Sequence, residues 1–324
     1  MEIAIRPRLD RAAVEALVRD RLGPDLEFTA HEEFTDGFFN AAHALDTADG
    51  RRLVVKVAPA KGLKLLRYEV DLMATEIECF ERAIAAGVPM PRLWHGDPEG
   101  GVMIIDRVEG RFPHKVRDEL TDAERLDLRR DIGATGALFA RVTGERFGYP
   151  RASGRTVADT WGESFLAMVG DVLADIAEQD LTPPRPVPEL AALFEAERAL
   201  LDEVTRPALV HFDLWDGNIF VHRTEDGWRV RAFIDGERAF YGDPIAELVS
   251  LQFVPEEEFA AVVDGFLGRA LTAGEERRLA LYRMYLMLIL IAECGPRGFD
   301  AELTAHQTKW ATETLVRDLA RLTD

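Results

Sequence analysis

The apolar pattern of this chain changes period once, near residue 121, and that change calls for a sheet-bearing first part joined to a helical second part. After a helical segment from Arg11 to Leu22, closed by Gly23-Pro24, apolar and polar residues alternate through Leu26 to Phe34, Asn40 to Leu45 and Arg51 to Val57. Asp49-Gly50 makes a tight turn between the last two, so the three read as an antiparallel meander. A helix is expected from about Lys64 to Ala86, with Leu65, Leu72, Ile77, Phe80 and Ile84 on its apolar face and Gly87-Val88-Pro89 at its end. Strands at Arg92 to His95 and Val102 to Val108 complete five strands with one helix. From Thr121 the pattern is mainly helical. It is interrupted by a Pro-rich linker at Thr182 to Pro188 and by short strands at Ala208 to Phe212, Ile219 to His222 and Val230 to Ile234. The expectation is an α+β fold of two lobes, residues 1–108 carrying the sheet and 109–324 mainly helical, since 324 residues exceed one compact core.

Charge and cysteine content narrow the class of partner. Lys and Arg total 39 against 58 Asp and Glu, a net charge of −19 that repels nucleic acid and anionic membrane surfaces. The acidity suits a cationic acceptor, and it equally suits a solvated surface that only confers solubility. Cys79 and Cys294 have no paired spacing, so neither a disulfide framework nor a zinc site is indicated and a reducing cytoplasm fits. The first residues lack an apolar signal region. The apolar run Leu286 to Ala292 is too short to span a bilayer and reads as a buried helix.

The chemistry-bearing residues cluster between the short strands of the second part. His211-Phe212-Asp213-Leu214-Trp215-Asp216-Gly217-Asn218 joins two of them, and Asp216-Gly217 supplies the turn that lets Asn218 face back toward Asp213. Seventeen residues on, Phe233-Ile234-Asp235-Gly236-Glu237 is an apolar strand ending in acid. Transfer of a phosphoryl group to a hydroxyl needs an acceptor in line, a proton sink beside it and cations that neutralise the phosphate oxygens. Asp213 suits the base, Asn218 and Asp235 suit magnesium ligands, and Glu237 could assist through water. Any one such aspartate alone would read as a strand-end turn residue. Order and spacing together point to the chemistry.

These motifs resemble the aminoglycoside phosphotransferase and choline kinase superfamily, which has a bilobal protein-kinase-like fold. The match runs from the Gly37 to Asn40 loop through Lys56 to His211-x-Asp213-x-x-x-x-Asn218, Ile234-Asp235-x-Glu237 and Gly242-Asp243-Pro244. The resemblance implies an enzyme that uses ATP or GTP with Mg2+ to phosphorylate an alcohol of a small molecule. Lys56 would hold the phosphates and Gly37 and Asn40 would lie over them. Asp106 and Val108 would meet adenine through their backbone, and His211 would support the loop. Glu69 and Glu76 lie seven residues apart, so helical periodicity does not choose which pairs with Lys56. The distance from Glu76 to Gly87-Val88-Pro89 resembles the family pattern better. Asp243 is expected to cap a helix or brace the loop.

No Gly-x-x-x-x-Gly-Lys-Ser/Thr or Gly-x-Gly-x-x-Gly string occurs, which disfavours Walker-type and dinucleotide-binding readings. A noncatalytic nucleotide-binding homologue is the competitor from another class. An antibiotic or other natural product, as in self-resistance, ranks first as acceptor. A primary metabolite such as a ketosamine, amino sugar, choline or homoserine ranks second, although His-x-Asp-Leu-Trp-x-Gly-Asn is especially similar to the ketosamine kinase loop, with Phe212 and Asp216 as departures. Asp159, Glu163, Asp171, Glu256, Glu257 and Glu293 are candidates for an acidic acceptor pocket, and Trp161, Phe165 and Tyr282 are candidates for stacking or for the core.

Overall fold

The computed structural model describes residues 6–35, 39–151 and 154–323. The expectation for Gly37 lies outside them.

Helix α1 (Arg11–Leu22) starts where the Asp10 carboxylate accepts the Ala13 N–H at 2.8 Å. Strands β1 (Phe28–Phe34), β2 (Ala41–Thr47) and β3 (Arg52–Val57) form the expected meander. Helix α2 (Leu72–Ala85) then leads to β4 (Leu93–Asp97) and β5 (Val102–Asp106), and the sheet order is β1-β2-β3-β5-β4. The two-residue period sends side chains to opposite faces. Leu45, Leu53, Val55, Val102 and Ile104 meet Val14 and Val18 of α1, while Met103 and Ile105 meet Met73, Ile77 and Phe80 of α2. Burial of each such side chain contributes about 1.5–3 kcal/mol. The sheet is thereby clamped, and Lys56 is left projecting from a rigid strand.

The helix expected from Lys64 begins later than the periodicity suggests. A single 3₁₀ turn spans Arg67–Glu69, Asp71 adopts the left-handed conformation at φ 61°, and α2 starts at Leu72. Aspartate tolerates that conformation better than most residues, so the chain changes direction between Glu69 and Glu76.

The second lobe contains α3 (Pro113–Val116), α4 (Asp122–Gly136), α5 (Trp161–Glu178), α6 (Val187–Ala196) and α7 (Arg198–Leu201). Strand β6 (Ala208–Val210), hairpin β7 (Ile219–Thr224) and β8 (Gly227–Phe233), and strand β9 (Phe240–Gly242) follow. The chain ends with α8 (Leu248–Leu251), α9 (Glu256–Leu267), α10 (Ala273–Ala292) and α11 (Ala301–Thr323). The Pro-rich linker is shorter than expected: Val187 and Pro188 already belong to α6, because proline is tolerated in a first helical turn. Strand β9 pairs with β6 and lies outside the expected elements, since three residues show no period. Trp161, Phe165 and Tyr282 are fully buried with Phe212, Phe240 and Tyr285 in one aromatic core. They do not form a stacking surface for an acceptor. Helix α10 is buried through Leu286 to Ile289, and no helix among the described residues is long and apolar enough to cross a membrane.

Candidate active site

Lys56 extends from β3 to two carboxylates on separate elements. Its Nζ donates to Glu76 Oε1 and Oε2 on α2 at 2.5 and 2.7 Å and to Asp235 Oδ1, just beyond β8, at 2.6 Å. Glu69 does not share this contact; its carboxylate accepts from Arg297 Nε at 2.9 Å. Glu76, Asp235 and Glu237 bring one oxygen each within 4.8 Å of one another, and Asn40 Nδ2 donates to Glu237 Oε2 at 3.1 Å. Burial alone would lower the Lys56 ammonium, but Asp235 and Glu76 outweigh it and hold the lysine firmly charged. Burial pushes Glu76 up to about 7 against the pull of Lys56. Burial, reinforced by Asp235, pushes Glu237 up to about 8. Asp235 feels the same burial, yet Lys56 holds it below the usual carboxylate range. Glu76 and Asp235 thus share one ammonium with Glu237 close by, and a bound cation would favour the charged forms of acids that burial holds up.

Asp235 is aimed by strained local backbone. It has φ 69°, a conformation rare outside glycine, and the Gly236 after it packs where a Cβ would come within 2.7 Å of Cys79 Sγ. This close approach seats α2, with Glu76, against the turn that carries Asp235.

The loop that carries Asp213 is held by its backbone. Glu247 accepts the His211 N–H at 2.7 Å and the Phe212 N–H at 3.1 Å, and the Phe212 carbonyl accepts from Ser250 Oγ at 2.8 Å. Phe212 itself has φ 69°. His211 Nε2 donates to the Ile234 carbonyl at 3.0 Å, and its Nδ1 accepts the Asp213 N–H at 3.3 Å; the second contact needs the lone pair of a neutral ring. Burial agrees, lowering His211 to about 4. The 3₁₀ turn Asp216–Asn218 returns Asn218 to the base: its Nδ2 donates to the Asp213 carbonyl at 2.8 Å and to Oδ2 at 3.2 Å. Arg129 grips that turn, donating to Asp216 Oδ2 from Nη2 and to Glu258 Oε2 from Nε, both at 2.9 Å.

Asp213 has a buried arginine for a neighbour, Arg238, whose Nε lies 3.8 Å from Oδ2. Burial raises the Asp213 carboxyl and Arg238 opposes the rise. Trp215, two residues on, is 51% exposed. Its indole lies over Gly217, where a Cβ would approach within 2.2 Å, and parallel to the His114 ring at 6.5 Å between centroids. The same loop thus carries a largely buried carboxylate and, two residues on, an aromatic ring that is half exposed.

Other expected residues have partners of their own. Asp106 ends β5; its N–H donates to the Arg92 carbonyl at 3.0 Å and its carboxylate accepts from Trp94 Nε1 at 2.6 Å. Val108 follows that strand end. Asp243 accepts from Arg278 Nε and the Tyr282 hydroxyl, each at 2.8 Å, and caps Ile245 N–H at 3.0 Å. The acidic acceptor candidates do not form one pocket. Asp159 pairs with Arg146 and Asp171 with Arg155, Glu256 and Glu257 open α9, and Glu293 is buried between Arg238 and Arg297. Solvation and local ion pairing explain these acids. Arg129, Arg238, Glu247 and Arg297 escape a sequence reading because they act across large separations; Arg238, three residues after Asp235, was the one within reach.

Glu76, Asp235 and Glu237 offer the hard carboxylate oxygens that Mg2+ requires, and Asn40 Oδ1 is buried without a partner among the described residues. The donor set fits a divalent cation bound with phosphate oxygens.

Comparison with known proteins bears on the fold and the family. A structure from Thermobifida fusca YX-ER1, assigned by inference as a fructosamine-3-kinase, has 21% identity and a TM-score of 0.69, with 95% of this chain and all of that chain covered. The GDP complex of a mutant aminoglycoside 2'-phosphotransferase-IIIa has 16% identity and a TM-score of 0.68 over 97% of this chain and all of that one. The streptomycin-ATP complex of APH(2'')-IIa has 16% identity and a TM-score of 0.62, with 95% and 99% covered. These likenesses establish the bilobal fold. A curated relative, a bifunctional tRNA threonylcarbamoyladenosine biosynthesis protein of Methanothermobacter thermautotrophicus, itself assigned by inference, is 28% identical over 128 residues, 38% of this chain and 21% of that protein. The model of the phosphotransferase enzyme family matches residues 31–282, a span that includes Lys56, Glu76, the whole 211–218 loop and Asp235. With most of the chain inside that span, the chain belongs to the phosphotransferase enzyme family.

Proposed function

We propose that this enzyme transfers the terminal phosphoryl group of ATP to a hydroxyl of a sugar-like primary metabolite, with a ketosamine as the leading acceptor. The observation that carries this reading is Trp215, half exposed two residues beyond Asp213 and laid flat over Gly217. A pyranose or open-chain sugar presents C–H faces that suit an aromatic surface, while its hydroxyls reach the adjacent carboxylate. The likeness of the loop to ketosamine kinases and the Thermobifida fusca fold match support the same choice.

Each proposed role follows from position. Asp213 accepts the proton of the attacking hydroxyl as the new O–P bond forms and the bond to the departing ADP oxygen breaks. Lys56, oriented by Glu76, holds the nucleotide phosphates near Asn40, and the family resemblance adds Gly37 over the phosphates and the backbone of Asp106 and Val108 at the adenine. Asp235 and Asn218 would hold Mg2+, which when bound offsets charge on the phosphate oxygens. His211 keeps the loop in place as a neutral ring.

The test is a screen for ADP release with Mg-ATP and a panel of fructosamine-type ketosamines, amino sugars, choline, homoserine and aminoglycosides, with mass spectrometry of products. The expected result is the highest kcat/KM on a ketosamine. Turnover confined to aminoglycosides would replace this reading with an antibiotic-modifying one. Tight Mg-ATP binding with no turnover on any acceptor would point to a noncatalytic role.

A further inference from the structure

The Arg238 guanidinium beside Asp213 is one end of a buried network that crosses between the lobes. Its Nη2 donates to Glu293 Oε2 at 3.0 Å. The same oxygen accepts from the Tyr68 hydroxyl at 3.0 Å and pairs with Arg297 Nη2 at 3.1 Å, while Glu293 Oε1 accepts from Gln307 Nε2 at 3.2 Å. Arg297 continues to Glu69, and its Nη2 also donates to the Tyr68 hydroxyl at 2.9 Å. Tyr68 and Glu69 belong to the 3₁₀ turn ahead of α2, and Glu293 and Arg297 lie just beyond α10. The side chains of Glu293, Arg297 and Glu69 are each 4% exposed or less.

This network does more than brace the lobes. Arg238 Nε and Nη1 are buried and have no hydrogen-bond partner among the described residues, although Nε lies only 3.8 Å from Asp213 Oδ2. Unpaired buried N–H groups are costly and rare. Glu69–Arg297 and Tyr68–Glu293 would join the lobes without Arg238. Arg238 has only one carboxylate at full hydrogen-bonding distance among the described residues, Glu293, and that contact keeps the guanidinium at its present distance from Asp213.

We propose that Glu293 is a positioning residue for phosphoryl transfer: it fixes Arg238 beside Asp213 with the same carboxylate oxygen that takes the Tyr68 hydroxyl of the first lobe, while Glu69 reaches it through Arg297. Lobe seating would then set the placement of the cation at the base. This inference rests on the phosphotransferase reading of Asp213 given above, and Glu293 touches neither reactant.

The test compares Glu293→Gln with the parent enzyme and includes a readout independent of the acceptor. Misplacement of a group at a reaction centre costs up to about 100-fold in rate, so kcat in Glu293→Gln should fall by about 10- to 100-fold with the KM for ATP unchanged. Glu293→Asp, which restores the charge, should recover part of the loss. A crystal structure of Glu293→Gln should show the Arg238 guanidinium displaced from its place beside Asp213. Tyr68→Phe removes one donor to Glu293 without stranding a charge, and serves if Glu293→Gln fails to fold; kcat should fall several-fold at constant KM for ATP. Unchanged kcat in a folded variant, an equal change in the KM for ATP, or an undisplaced Arg238 would each overturn the proposal. If the parent enzyme transfers phosphate to nothing, the functional reading fails, and the position of Arg238 in the variant crystal still decides for or against the role of Glu293.

Discussion

The two sides of the candidate site solve opposite problems. Around Asp235 the charges are unfinished: two carboxylates share one ammonium, a third lies close by, and burial drives Glu76 and Glu237 to about 7 and 8. Around the Asp213 backbone the hydrogen bonds are complete, with Glu247, His211, Ser250 and Asn218 each holding a specific main-chain group. The lesson is physical. A charge excess held on rigid elements marks where a ligand completes the site, whereas a satisfied polar network marks the scaffold that aims a reacting group.

That contrast can be broken by substitution. The largest effect is expected at the base: Asp213→Asn should lower phosphate transfer by about 10²- to 10⁴-fold while Mg-ATP binding by calorimetry stays within about twofold. Undiminished turnover would remove Asp213 from the chemistry.

The scaffold side predicts a dependence of stability on pH. His211 falls from the ordinary 6.5 to about 4 in the fold, so only the unfolded chain binds its proton between those values. Stability is therefore whole above pH 6.5 and is lost as pH falls toward 4. At pH 5 the loss from this group is about 2 kcal/mol at 1.4 kcal/mol per unit. Urea unfolding at pH 7 and 5 should show this component in the parent and lack it in His211→Asn; equal slopes would show that His211 is protonated without cost.

The unfinished side predicts a loss that depends on metal. Asp235→Asn should weaken Mg-dependent nucleotide binding by about 10- to 100-fold, with little change in binding measured without Mg2+. Equal affinity for Mg-ATP in variant and parent would remove Asp235 from the cation site. The smallest effect is expected at the acceptor surface, where Trp215→Ala should raise the acceptor KM by about 3- to 10-fold at constant KM for ATP. An unchanged acceptor KM would dissociate the exposed indole from acceptor binding.

Much of the site was legible because its parts lie next to strands. His211 to Asn218 and Asp235 hang from short apolar segments, so spacing alone places their side chains at one opening. Glu69 and Glu76 show where that kind of reading stops. On one continuous helix the two would share a face, but Asp71 at φ 61° separates a 3₁₀ turn from α2, and the two glutamates end on Arg297 and Lys56 respectively. The acidic acceptor candidates were open for a related reason: acids scattered along a chain carry no record of which arginine will neutralise each of them. Strand β9 was too short for its period to be seen.

The sequence by itself determined the two-lobed α+β order, the family, and the loop and strand-end residues proposed for the chemistry, because periodicity and motif spacing are local properties of the chain. Only the tertiary structure decided that Glu76 serves Lys56, that Glu247 carries the loop backbone, and that Arg238, Glu293 and Arg297 join Asp213 to the first lobe. Those contacts link residues up to 229 positions apart, and their partners are chosen by burial, which leaves no charge or hydrogen bond free to stay unpaired cheaply.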